Sequence, residues 1–147
     1  MEQKQRVLFL CTGNSCRSQM AEAFLRKYGG AYFEAYSAGL EPRSIHPYTF
    51  QVMKEIGFDL SGQTSKGVKE FLGRVFIHNL ITVCDQAEKN CPTGWPGIIH
   101  KMHWSFEDPA AFEGTPEETL AKFRSVRDQI QEKVRTWLLE QDLPLAA

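Results

Sequence analysis

The chain has 147 residues and a formal net charge of −1, with 17 lysines and arginines against 18 aspartates and glutamates. That length suits one hydrophobic core, so a single domain over residues 1–147 is expected. The balanced charge gives no electrostatic case for a nucleic-acid or membrane partner, and no apolar run approaches membrane-spanning length.

Residues 7–10, Val-Leu-Phe-Leu, read as a short buried strand. Cys11 follows, then five residues, then Arg17. Met20, Ala21, Phe24, Leu25 and Tyr28 then share one helical face, and Gly29-Gly30 offers two residues tolerant of a left-handed helix end. Residues 31–37 carry the aromatic residues of a second strand, closed by Ala38-Gly39. His46-Pro47 opens a second helix, with Pro47 in its first turn, an apolar stripe of Phe50, Met53 and Ile56, and Gly57 just past its end. Gln63-Thr-Ser65 leads into a predicted third helix with Val68, Phe71 and Leu72 inward. Residues 77–84 read as a strand and 85–97 mostly as loop, with two prolines and two glycines. Residues 98–104 form a last strand. Thr115-Pro-Glu-Glu118 is a capping box opening a long helix on Leu120, Phe123, Ile130, Val134 and Trp137. Strands alternating with helices argue for βαβ units and a parallel sheet covered on both faces.

The 11–17 stretch lies between a strand and a helix N-terminus. Such a loop can aim backbone N–H groups inward as an anion nest, aided by the helix dipole. That setting favours a thiolate, so a lowered pKa is expected for Cys11. Arg17 supplies a planar fork suited to a tetrahedral oxyanion. Four cysteines point to catalysis or metal rather than to a disulfide framework, and the polar residues 1–6 carry no signal-peptide pattern, so a cytoplasmic location is expected.

Cys11-Thr-Gly-Asn-Ser-Cys-Arg-Ser-Gln-Met-Ala-Glu22 resembles the phosphate loop of the low-molecular-weight tyrosine phosphatase superfamily, and within it the thiol-dependent arsenate reductases. The similarity continues through Tyr36-Ser-Ala-Gly39, Gln63-Thr-Ser65, Thr82-Val-Cys84, Cys91-Pro92, His103-Trp104 and Asp108-Pro-Ala110, nearly the whole chain. It implies a three-layer α/β domain with a four-stranded parallel sheet in flavodoxin-like order 2-1-3-4. The end of the first strand, with Cys11, would then lie at the topological switch point.

The resemblance also implies roles. Arsenate, or phosphate or sulfate in its place, would bind to Thr12, Gly13, Asn14, Ser15, Cys16, Arg17 and Ser18. Cys11 would attack arsenic, with Asp108 as the acid for the leaving oxygen. Reduction to arsenite takes two electrons, so two thiols must become one disulfide. Cys84 would attack Cys11, and Cys91 would then take the disulfide to Cys84–Cys91 by thiol exchange. A mobile Asp85–Asn90 segment would present that pair to thioredoxin; a glutaredoxin with glutathione, or another low-molecular-weight thiol, is the alternative donor. No cofactor is expected, and a monomer is assumed.

Each residue has a plainer role open to it. Cys84 could be core packing and Cys91 an inert loop thiol. Asp108 could simply start a turn before Pro109. Ser18 could donate to the Cys11 thiolate or cap the helix. Asn14 suits a left-handed loop position. Cys16 has no defined anion role and is expected to be dispensable, with Cys11–Cys16 oxidation as a form of damage. Some reductases of this family bind potassium through Asn, Glu, Ser and Asp. Asn14, Glu22 and Ser37 match, but Lys66 stands in the Asp position. Its ammonium would neutralise Glu22 itself, so no potassium site is expected.

Two other readings compete. A tyrosine phosphatase would use Cys11, Arg17 and Asp108 with water as the second nucleophile. It needs neither Cys84 nor Cys91, and it carries aromatic residues where Ala110-Ala111 stand here. A non-enzymatic metal-binding or redox-sensing protein would gather Cys11, Cys16, Cys84 and Cys91 around zinc. Structural zinc sites prefer tighter Cys-x2–4-Cys spacing, and Arg17 would then have no purpose.

Overall fold

β1 (Gln5–Cys11) runs through the middle of a four-stranded parallel sheet, between β2 (Phe33–Gly39) and β3 (Asn79–Thr82), with β4 (His100–His103) outside β3. The order is 2-1-3-4, as the resemblance implied. Val7 to Cys11 are all buried because β1 is covered on both faces, which is why it reads as a continuous apolar run. The computed structural model describes residues 4–89, 91 and 98–143.

α1 (Arg17–Gly29) follows β1, α2 (Pro47–Lys54) follows β2, α3 (Asp85–Lys89) follows β3, and α4 (Pro116–Glu140) closes the chain. Side chains alternate along a strand, so neighbours on β2 report on opposite faces. Ser37 turns to α1, where its hydroxyl donates to Glu22 at 2.6 Å. Tyr36 turns the other way and meets Phe71 edge-on. On the α1 side, Phe9, Trp104, Trp137 and Phe33 form a chain of ring contacts that seats α4 on the sheet.

Several local expectations hold. His46 caps α2, its Nδ1 accepting from the Tyr48 N–H, with Pro47 at N1. Gly57 is left-handed at φ +86, and the Phe58 N–H returns to the Met53 carbonyl as in a Schellman end. Thr115 and Glu118 form the capping box of α4.

Others are corrected. The predicted third helix is one 3-10 turn, Val68–Glu70, with left-handed Gly73 shortly after. Three inward apolar residues hold that segment against the sheet without enough length to propagate a helix. In α2 the buried residues are Thr49, Val52 and Met53; Phe50 is exposed and Ile56 lies past the helix end. Gly30 is right-handed at φ −63. Gly29 serves packing instead, since a Cβ on it would stand 2.8 Å from Leu138 of α4. Residues 85–89, read as loop, are helical, while residues 90 and 92–97 of that stretch lie outside the described residues. β3 and β4 are shorter than the strands expected over residues 77–84 and 98–104.

Candidate active site

The 11–17 loop turns between the end of β1 and the start of α1, and the segment after β2 holds it from outside. The carbonyls of Cys11, Thr12, Gly13 and Ser15 accept N–H groups from Leu40, Glu41, Arg43 and His46 at 2.8–3.1 Å. Ser15 also accepts the Thr49 hydroxyl at 3.0 Å. With its carbonyls held outside, the loop turns N–H groups inward, because the two point oppositely across a planar peptide. The Asn14 N–H reaches Cys11 Sγ at 3.1 Å.

Asn14 adopts φ 51, the left-handed position its residue type tolerates, and is fully buried. Its amide donates to Ser18 Oγ at 2.8 Å, and Ser18 Oγ lies 2.9 Å from Cys11 Sγ. Ser18 has one proton and accepts Asn14's, so its own proton is free to donate to Cys11. Of the two roles considered for Ser18, the structure places it on the sulfur; the α1 N-terminus has no side-chain cap.

Burial pushes the Cys11 thiol up, and this outweighs the Ser18 hydroxyl, the Arg17 charge and the Asn14 N–H, which all pull down. The expected lowering is therefore corrected. Cys11 is 2% exposed, and desolvating a thiolate costs more than these partners return. Cys16 is also buried and is pushed up to about 11, chiefly by desolvation.

A cleft of about 650 Å³ opens over the loop. Cys11, Thr12, Gly13, Ser15, Cys16, Arg17, Cys84 and Asp108 line it, while Asn14 and Ser18 support the loop from the buried side. Cys84 follows β3; its sulfur accepts the Ala87 N–H at 3.3 Å and lies 3.5 Å from Thr12 Oγ1. Cys91 is half-buried, packs against the hydrophobic core, and does not line the cleft. Arg17 donates to the Phe106 carbonyl at 3.0 Å and lies 3.7 Å from Asp108. Asp108 both starts a turn, accepting the Ala110 N–H at 3.0 Å, and faces the cleft.

Ala110 lines the cleft at the position compared with the phosphatases' aromatic wall, while Arg43, Asp85, Ser105, Phe106 and Glu107 complete the lining and were missed from sequence. They come from segments folded over the loop, and no local pattern marks them. Buried Gln19 was also missed. Its amide donates to Asn14 Oδ1 at 2.8 Å and to the Thr64 carbonyl at 2.9 Å, tying the loop to residues 63–66. A glutamine so near the start of an apolar helical face was the available signal.

The residues do not fit a potassium ion. Glu22 accepts Ser37 at 2.6 Å and Arg26 at 2.8 Å, and Lys66 Nζ lies 3.5 Å from it. Asn14 Oδ1 already accepts Gln19 and the Lys66 N–H. Among the described residues, no group of three or more His, Cys, Asp or Glu is placed to share a metal ion. Nor is any helix among them long and apolar enough to cross a membrane.

Residues 6–144 match the family model described as low molecular weight phosphotyrosine protein phosphatase. The chain belongs to this family. Within the low-molecular-weight phosphatase family it is similar to an arsenate reductase of Halalkalibacterium halodurans, 45% identical over 135 residues that cover 91% of this chain and 95% of that one. An arsenate reductase solved in its phosphate-binding state superposes with a TM-score of 0.74 at 34% identity, over 92% of this chain and 98% of that one. A thioredoxin-dependent arsenate reductase of Corynebacterium glutamicum gives a TM-score of 0.58 at 26% identity, over 90% of this chain and 63% of that one.

Proposed function

We propose that this phosphatase-family chain is an enzyme that reduces arsenate to arsenite, as its arsenate reductase relatives are named for doing. The observation that carries the reading is Cys84. Besides Cys11 and Cys16 of the loop itself, a buried thiol from another strand shares the cleft, its sulfur 3.5 Å from the Thr12 hydroxyl. A phosphatase that resolves its intermediate with water has no use for it.

Arsenate docks on the inward N–H groups of the loop and on Arg17, which leaves the Phe106 carbonyl to take the oxyanion. Cys11 thiolate forms a bond to arsenic, and the oxygen that leaves takes a proton from Asp108 and departs as water. Cys84 thiolate then attacks Cys11 Sγ. The sulfur–arsenic bond breaks, its electron pair stays on arsenic, and arsenite leaves as the Cys11–Cys84 disulfide forms. Cys91 attacks Cys84, releases Cys11 as thiolate, and leaves a Cys84–Cys91 disulfide for an outside dithiol to reduce.

Thioredoxin is the proposed donor, with a glutaredoxin or low-molecular-weight thiol as the other candidate. The protein acts as a monomeric single domain in the cytoplasm, and potassium has no part in the reaction. Ala110-Ala111 after Asp108-Pro109 leave out the aromatic wall that an aryl phosphate would use, so phosphatase activity is a weak side reaction.

The test is NADPH consumption with arsenate, thioredoxin and thioredoxin reductase. Wild type should turn over, and Cys11→Ser, Cys84→Ser and Cys91→Ser should each lose at least about a hundredfold. Hydrolysis of aryl phosphate by wild type and Cys84→Ser alike, with no arsenate turnover, would replace the reductase with a phosphatase.

A further inference from the structure

The cleft holds two arginines, and their charges differ in availability. Arg17 is tied to the Phe106 carbonyl at 3.0 Å and faces Asp108 at 3.7 Å. Arg43 lies in the segment after β2, which holds the loop from outside. Its backbone N–H clamps the Gly13 carbonyl at 2.8 Å. Its stem runs beside Gly13: a Cβ there would stand 3.6 Å from Arg43 Cδ. Among the described residues, the Arg43 guanidinium has no hydrogen-bond, ion-pair or ring partner, although it lines the cleft.

The other charged groups on the rim do not supply this attraction. Asp85 is held by His103 and Ser105, and Glu107 by Lys122. With Asp108 they place three carboxylates around a site that must admit an anion. Arsenate, like a phosphate monoester, carries more than a single negative charge near neutrality. It meets a rim whose one internal cation is already paired with a carboxylate.

We propose that Arg43 is a second oxyanion-binding residue, an outer arginine that draws arsenate past the acidic rim and contacts it across Gly13. This rests on the reductase reading for the identity of the substrate, but not for the binding of a tetrahedral oxyanion. The Gly13–Arg43 backbone bond fixes where the stem begins, and the stem then runs within van der Waals reach of Gly13. The side chain then acts on affinity and encounter, and the bond-making groups are left as they are.

Full-length protein is compared with Arg43→Ala, Arg43→Lys and Arg43→Glu under steady-state turnover with inorganic arsenate. The alanine variant should raise the arsenate KM about five- to tenfold with kcat within about twofold, and should flatten the fall of kcat/KM with ionic strength. The lysine variant should recover most of the loss and the glutamate variant should deepen it. Calorimetric titration of inorganic phosphate into Cys11→Ser, with and without Arg43→Ala, should show the same loss of affinity. An unchanged KM and salt slope in Arg43→Ala would overturn the assignment, as would a defect confined to the thioredoxin KM. If wild type fails to reduce arsenate, the reductase reading falls, and the phosphate titration alone decides on Arg43.

Discussion

Cys11 sits in two opposing influences, and the balance between them sets its chemistry. Burial raises its pKa above the ordinary thiol value, while Ser18, Arg17 and Asn14 draw it back. Ser18 is the strongest of the three, and it is held in place by Asn14 at 2.8 Å. Removing its hydroxyl therefore leaves burial less opposed. Ser18→Ala should move the alkylation midpoint of Cys11 further up and slow alkylation at neutral pH about tenfold, measured by peptide-resolved mass spectrometry. An unmoved midpoint would mean that Ser18 only fills space. At this scale the sequence was legible where a residue type has a narrow use. Asn14 in a left-handed turn and Lys66 against Glu22 were both expected from residue identity. The direction in which the Cys11 pKa moves was not legible, because it depends on how much water the folded loop excludes.

The elements meet at the loop through glycine. β2 ends at Gly39, whose missing side chain leaves room for the loop: a Cβ there would stand 2.7 Å from the Thr12 carbonyl oxygen and 2.9 Å from the Asn14 nitrogen. These are backbone atoms and cannot rotate away. Gly39→Ala should lower kcat/KM for arsenate about a hundredfold by displacing the loop N–H groups. Gly62, with nothing within 4 Å of its Cβ position, is the control and should tolerate alanine within about twofold. A near-normal rate in Gly39→Ala would show that the loop shifts without harm. Element ends marked by local chemistry were read correctly, as with Thr115, Pro47 and Gly57. The 3-10 turn at Val68–Glu70 and the helix α3 were not. A short amphipathic pattern does not distinguish a helix from a turn pressed onto a sheet, and α3 is held partly by the Ala87 bond to Cys84 and the hold of Asp85 on His103.

For the whole molecule, buried thiols link stability to pH. The folded protein holds the Cys16 proton more tightly than the unfolded chain, with a pKa of about 11 against 9.0. The stabilisation is fully present below about pH 9 and is lost as pH rises towards about 11. It amounts to about 3 kcal/mol, because each tenfold gain in proton affinity is worth about 1.4 kcal/mol. Under reducing conditions, urea unfolding of wild type should weaken between these pH values by roughly that much more than unfolding of Cys16→Ala. Equal losses in both would remove the linkage from Cys16.

The sequence by itself determined the βαβ alternation, the buried first strand and the loop that carries Cys11 and Arg17. These follow from local periodicity and from residues with few conformational options. Tertiary structure decided which residues face that loop. It brought Cys84 to the cleft from another strand, laid Arg43 along Gly13, and set Asp108 opposite Arg17. It also raised the Cys11 thiol, since desolvation is a property of everything packed around a group and is not written in its neighbours along the chain.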